Sequence, residues 1–326
     1  MKRSRKKLWI SLVILAILAG IATAVILNRV WIIDFVRGMG YEPTSEMARI
    51  RDELELTDRG EFLFKATHPK LSEKDDFNKN CRQAGDSEIA VLGCYTNNDI
   101  YIYNITESEL NGIRELTTAH ELLHAVWARM GENERKNWET VLNRVYNDNQ
   151  EILKDEIETY VSSERQEELY VRAGTEIKNL PASLEEHYAE IFKDQDKIVD
   201  FYDKYISVFK EIEERMNELK SEMDEMGGEI DLKTKEYERR SGQLEADVVS
   251  FNACAKQAGC FETQAEFYAR RRELVSEQEA LNTLYEELNR MIQEYNALVN
   301  EYNSNVIKSQ DLNQKINSNT RPEGLE

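Results

Sequence analysis

The residues best suited to chemistry are His120-Glu121-Leu122-Leu123-His124. Side chains four apart on a helix share a face. Two imidazoles at this spacing can therefore hold one Zn²⁺, each at about 2.0–2.1 Å. Glu121 then projects beside them, placed to take a proton from a water that the ion has made acidic. The chain has only four histidines in 326 residues. Finding two of them at this spacing around a glutamate makes the pattern more specific than its five-residue length suggests. Of the other two, His68 stands just before Pro69 with no partner in sequence and reads as structural.

These residues need a helix beneath them. Leu110, Ile113, Leu116, His120, Leu123, His124 and Trp127 recur at helical spacing. Thr106-Glu107-Ser108-Glu109 fits a capping box, so the helix is expected to begin there, with Gly131 as its stop. Upstream, Ile89–Tyr95 and Ile100–Ile105 are rich in β-branched and aromatic residues, and the turn-favouring run Thr96-Asn97-Asn98-Asp99 separates them. This predicts a β-hairpin leading into the helix. Downstream, Glu132 to Ile177 reads as amphipathic helices with Trp138, Val141, Leu142 and Val145 as one buried stripe. Leu180-Pro181-Ala182-Ser183 interrupts the pattern. Ser183 and Glu186 form a second capping box, from which a helix is expected to run to about residue 252.

That length is explained by heptads. Tyr202, Phe209, Met216, Met223, Ile230, Tyr237, Leu244 and Phe251 recur every seven residues, and the design returns from Phe267 through Tyr302. Charged residues interrupt the companion series at Lys233, Arg240 and Asp247 on the first helix and at Arg270 and Glu277 on the second. If the chain turns back near Cys254 to Cys260, Arg240 faces Glu277 and Asp247 faces Arg270. Opposite charges meeting twice in one register predict an antiparallel coiled-coil hairpin rather than a parallel dimer.

The N-terminus sets the compartment. Five basic residues among positions 2–7 precede an uncharged stretch from Leu8 to Leu27. At about 1.5 Å per residue this stretch covers the roughly 30 Å hydrocarbon core, with the basic end cytoplasmic. Ala22-Thr23-Ala24 resembles a signal-peptide cleavage site, but apolar residues continue through Ile33, which favours an uncleaved signal-anchor. Either reading exports the remainder. The four cysteines fall into two close pairs, Cys81 with Cys94 and Cys254 with Cys260, and outside the cytoplasm these read as disulfides. A net charge of −20 argues against nucleic acid as a partner.

The motif, preceded by a hairpin, resembles the zincin metallopeptidases, in which a short sheet with an exposed edge strand comes before the HExxH helix. The metzincin branch is excluded, since Trp127 and Met130 stand where its glycine and third histidine would be. The gluzincin branch implies a third ligand from a later helix. Glu168 is the first choice, with Glu164 and Glu176 as rivals, and His187 is a candidate for stabilising an oxyanion. Residues 41–200 also look like a group of membrane-anchored bacterial proteins that carry this motif.

The expected fold is mainly α with a small β-sheet, a zincin-like α+β domain joined to the coiled-coil hairpin and preceded by one transmembrane helix. The expected organisation is a basic cytoplasmic tail at 1–7, an anchor at 8–33 and a metallopeptidase domain at 34–189. The hairpin would occupy 190–318 with its tip at 254–260, and a disordered tail 319–326. This describes a single-pass membrane protein with its C-terminal domains outside the cytoplasm, acting on a peptide or protein substrate and with a protein partner for the arm. The rival expectation is a cell-surface coiled-coil scaffold or interaction protein with a structural or inactive metal site. Glu121 discriminates between them, because a purely structural site has no use for it.

Overall fold

The computed structural model describes residues 15, 17–20, 22–81, 92–162 and 164–318. The chain divides into two units, one of residues 1–208 with 313–326, and the other of residues 209–312.

In the first unit, α1 (Ile17–Leu27) is followed by α2 (Arg29–Gly38), α3 (Ser45–Glu53), α4 (Asp58–Thr67), β1 (Lys70–Ser72) and α5 (Lys74–Cys81). Next come β2 (Gly93–Thr96), β3 (Asp99–Tyr103), α6 (Ile113–Arg129), α7 (Glu132–Asp148), α8 (Gln150–Ile157), α9 (Arg165–Glu176) and α10 (Ala182–Tyr188). The three strands lie in the order β1-β3-β2, with β1 parallel and β2 antiparallel to β3. The β2–β3 hairpin agrees with the sequence. Its turn is Asn97-Asn98 with both residues at positive φ, a conformation that asparagine tolerates and that matches the twist of the flanking strands. The strands are shorter than expected, and residues 89–91 lie outside the described residues. β1 was not anticipated, because three residues are too few to show a period. The Cys81–Cys94 disulfide ties the end of α5 to β2.

Two predicted helix starts are corrected. Thr106 does not open the motif helix. Ser108–Leu110 forms a short 3₁₀ turn without a side-chain cap, and α6 begins at Ile113, after Gly112 at φ +102°. Burial of Leu110 and Ile113, each 1% exposed, draws the chain through this reversal, so tertiary packing prevails over the local capping signal. The second correction concerns the helix expected from Ser183 to about 252. α10 ends at Tyr188, and Ser183 makes no cap. Residues 189–194 leave the helix and pair with the segment after α3. Thr57 N donates to Ile191 O at 2.9 Å, Lys193 N donates to Glu55 O at 2.9 Å, and Leu56 bridges Phe192. These bonds satisfy backbone groups that the break would otherwise leave orphaned. α11 (Gln195–Ala255) then starts with Asp194 Oδ1 accepting from Lys197 N.

One core joins the elements of this unit, with Phe64, Ile102, Leu122, Leu123, Tyr170, Tyr188 and Phe192 among its buried members. Leu142 and Val145 of the predicted stripe are buried in it, and Trp138 and Val141 pack on its edge.

The second unit consists of the parts of α11 and α12 (Gln264–Ile316) that fall within residues 209–312, and these run antiparallel. Arg240 Nε donates to Glu277 Oε1 at 2.8 Å, and Arg270 lies 3.4 Å from Asp247, the two pairings read from the heptads. Tyr237 packs on Tyr285 and Phe251 on Phe267. Cys254 and Cys260 are bridged, with Cα atoms 5.4 Å apart.

Among the described residues no single helix is long and apolar enough to cross a membrane. α1 and α2 meet that test only as a pair, bent by 69°.

Candidate metal centre

α6 carries the motif with one face in the core. Ala119, Leu122, Leu123 and Val126 are buried, which turns His120 and His124 toward α9. The two rings lie 5.0 Å apart between centroids, an edge-to-face pair one helical turn apart. α9 approaches closely because Gly174 has no side chain. A Cβ there would stand 2.5 Å from Leu123 Cδ1 and 2.8 Å from Tyr188 Cε1. Trp127 of α6 also packs on Tyr170 of α9, at 5.1 Å between ring centroids.

This packing brings Glu168, in the first turn of α9, opposite the two histidines. His120 Nε2 lies 3.7 Å from Glu168 Oε1, and His124 Nε2 lies 3.5 Å from Glu168 Oε2. One nitrogen from each histidine and one Glu168 oxygen all fall within 4.8 Å of one another, the one such group among the described residues. Ligands at about 2.0–2.1 Å in tetrahedral arrangement would stand about 3.4 Å apart, close to these separations. Glu168 is 2% exposed, yet its Oε1 accepts no hydrogen bond. Arg172 Nε is 2.6 Å away but is not aligned to donate. The Arg172 guanidinium thus offsets the charge of this buried oxygen without filling its lone pairs, which stay available to a second cation. Two imidazoles and this oxygen form a set that could bind a metal ion.

The electrostatics agree. Burial pushes the His120 imidazole down to about 3, with His124 and Arg172 adding to the effect and Glu168 opposing it, so its ring is neutral. Burial acts in the same direction on His124, but Glu167 and Glu168 outweigh it and hold that ring well above the usual histidine range. Burial would raise Glu168, yet the two histidines and Arg172 keep its carboxyl well below the usual carboxylate range. The site thus holds ionised Glu168 beside the neutral ring of His120.

Three contributors escaped the sequence reading. Glu167 Oε1 accepts from His124 Nδ1–H at 2.9 Å, which fixes the ring and leaves Nε2 facing Glu168. Arg172 is a buried cation between Glu168, Glu176 at 2.8 Å and Glu156 at 3.5 Å. The i, i+4 spacing of Glu168, Arg172 and Glu176 was a visible signal for it. Gly93 is a third. It opens β2 directly against Glu121, where a Cβ would stand 2.7 Å from Glu121 Cγ. β2 is an edge strand among the described residues, and Glu121, 5% exposed, packs against its first residue.

The remaining candidates are not brought together with this group. Glu164 is exposed at the start of α9. Glu176 is buried against Arg172, and burial pushes its carboxyl up to about 7. His187 faces aromatic neighbours. Its Nε2 shares a hydrogen bond with Tyr170 Oη at 3.0 Å, and Trp138 packs on its ring. Burial lowers its pKa, as for a histidine held neutral within packing. His68 caps α4 in a left-handed conformation, with its Nε2 2.9 Å from Arg37 O, consistent with a structural role.

Comparison with protein-family models, with curated proteins and with solved structures finds no match, so the functional reading rests on the geometry of this site.

Proposed function

We propose that the protein is a membrane-anchored zinc metallopeptidase whose catalytic unit lies outside the cytoplasm. The observation that carries this reading is the convergence of His120, His124 and Glu168 from two separate helices around a buried, donor-free carboxylate oxygen. The donor set, two imidazole nitrogens and one carboxylate oxygen, is one that zinc takes in hydrolases while keeping a fourth position for water or substrate. A bound zinc ion supplies Lewis-acid polarisation of the scissile carbonyl and lowers the pKa of water.

The chain's own residues do the rest. His120, His124 and Glu168 hold the ion, and Glu167 orients His124. Glu121 takes the proton from the attacking water and delivers it to the departing amine. Arg172 fixes the carboxylate of Glu168 from behind. The edge of β2, which pairs only with β3 among the described residues, would offer its other side to an extended peptide lying along the site. The two disulfides accord with an oxidising compartment.

The test is metal content and peptide hydrolysis measured on the same full-length preparation. Zinc at one per chain, with hydrolysis of a broad peptide library that is lost in Glu121→Gln, supports the peptidase. Zinc retained with no hydrolysis by the wild type favours the scaffold with a structural site.

A further inference from the structure

On the side of α2 that meets the protein, Asp34 and Arg37 make polar contacts and Trp31 stacks on Phe62 at 6.1 Å between ring centroids, while further apolar side chains face away. Asp34, 4% exposed, receives Arg129 Nε and Nη2 on its two oxygens, each at 2.8 Å. Arg37 donates to Ala66 O at 2.8 Å and pairs with Asp99, and Gly38 rests against Lys65. On the opposite side Ile33, Phe35, Val36 and Met39 are 52%, 46%, 59% and 68% exposed. A helix lying on a protein in water has the reverse arrangement, with its apolar stripe inward. An outward apolar face of this kind marks a contact with something other than water.

The chain before α2 indicates what that contact is. α1 is separated from α2 by Asn28 alone, and its Ile17, Leu18, Val25, Ile26 and Leu27 are all exposed apolar side chains. The two helices meet at 69°. With the uncharged stretch from Leu8 to Leu27 as the anchor of the reading above, so sharp a bend at its end lays the next helix along the bilayer surface rather than through it. Trp31, which stacks on Phe35 at 5.4 Å and on Phe62 of α4 at 6.1 Å, remains 57% exposed, and tryptophan concentrates at the membrane–water boundary.

We propose that α2 is an interfacial helix, with Ile33, Phe35, Val36 and Met39 seated in the boundary between lipid headgroups and acyl chains while Asp34 and Arg37 hold the domain. The first unit is then clamped against the bilayer instead of swinging on a tether. Arg129 lies about 7 Å along α6 from His124, so the clamp reaches the helix that carries the metal ligands. The inference rests on the membrane-anchor part of the reading above and is independent of whether the site is catalytic.

All four native cysteines are in disulfides, so a single introduced cysteine can be labelled cleanly. The full-length chain carrying Val36→Cys or Leu18→Cys is labelled with an environment-sensitive fluorophore and reconstituted in vesicles of zwitterionic and anionic phospholipid. Spin-labelled lipids then quench it from just below the headgroups or from the bilayer centre. The Val36→Cys label should be quenched roughly twofold or more strongly by the shallow probe, as for a group about 5–10 Å into the interface. The Leu18→Cys label should respond more to the deep probe. Quenching of Leu18→Cys without quenching of Val36→Cys leaves the anchor standing and overturns the interfacial helix. Val36→Cys responding mainly to the deep probe overturns it too, since α2 would then continue the span. No quenching at either position removes the anchor reading itself and the inference with it.

Discussion

Glu167 Oε1 lies 2.9 Å from His124 Nδ1, on the opposite side of the ring from Glu168. Consecutive residues on α9 therefore divide the work on one imidazole. Glu167 sets its tautomer and orientation, and Glu168 shares the space that its free nitrogen faces. Replacing Glu167 by Gln should preserve one metal per chain at saturation but weaken affinity by about 10–100-fold, the usual cost of losing such an orienting partner. Competition with a chelator of known affinity measures the change.

The metal group itself makes a sharper prediction. Alanine at His120, His124 or Glu168 should reduce bound metal from about one per chain toward zero, because two remaining ligands hold an ion poorly. Glu164→Ala and His187→Gln should leave it unchanged. Elemental analysis after dialysis against metal-free buffer separates the two sets.

Glu121→Gln keeps the shape of the side chain and removes its basicity. Metal content should be intact while hydrolysis falls by about 10²–10⁴-fold, the typical contribution of a positioned general base. Unchanged turnover in this variant would place the base elsewhere.

Gly93→Val tests the contact between β2 and α6. A Cβ at this position would collide with Thr117 Cγ2 as well as Glu121. Forcing it in should cost about 1–3 kcal/mol of stability, as overpacking does. Hydrolysis should fall further than metal content, since the displaced group is Glu121 rather than a ligand. Chemical denaturation alongside metal analysis gives both quantities.

Asp34→Ala strands the guanidinium of Arg129, whose side chain is 13% exposed. Breaking a buried pair from one side costs about 3–5 kcal/mol. The double variant Asp34→Ala with Arg129→Met should recover much of that loss, because no unpaired charge remains. An unchanged urea midpoint in Asp34→Ala would show the pair to be energetically idle, and equal losses in the single and double variants would show that the cost is not that of a stranded charge.

For the arm, cysteines introduced in place of Arg240 and Glu277 should cross-link within one chain, since the guanidinium and carboxylate already meet through two hydrogen bonds. Cross-links between chains at identical positions would contradict the pairing. Gel mobility under non-reducing conditions distinguishes them.

Much of this was readable in the order of residues. Heptad spacing determined the two long helices, and the charge defects at Arg240, Asp247, Arg270 and Glu277 determined their register, because a coiled coil repeats one local rule along its length. The pairing of four cysteines followed from their proximity in sequence. The turn at Asn97-Asn98 likewise followed from residue types that accept positive φ. The His120-Glu121-His124 spacing guaranteed one shared face on any helix that contained it.

What the sequence could not decide was everything that depends on separate segments meeting. Glu168 was one of several acidic residues in its stretch, and only the close approach of α9 to α6 at Gly174 distinguishes it from Glu164 and Glu176. Glu167 and Arg172 acquire their roles through the same approach. Both misplaced helix starts, at Thr106 and Ser183, carried sound local capping signals worth about 1 kcal/mol. Burial of Leu110 and Ile113 in the first case, and pairing of residues 191–193 with the chain around Leu56 in the second, outweighed them. The orientation of α2 is likewise invisible in its composition, because which face of a helix is inward is settled by the partners it packs against: here Arg129, Asp99 and Phe62 took Asp34, Arg37 and Trp31 and left Ile33, Phe35, Val36 and Met39 outward.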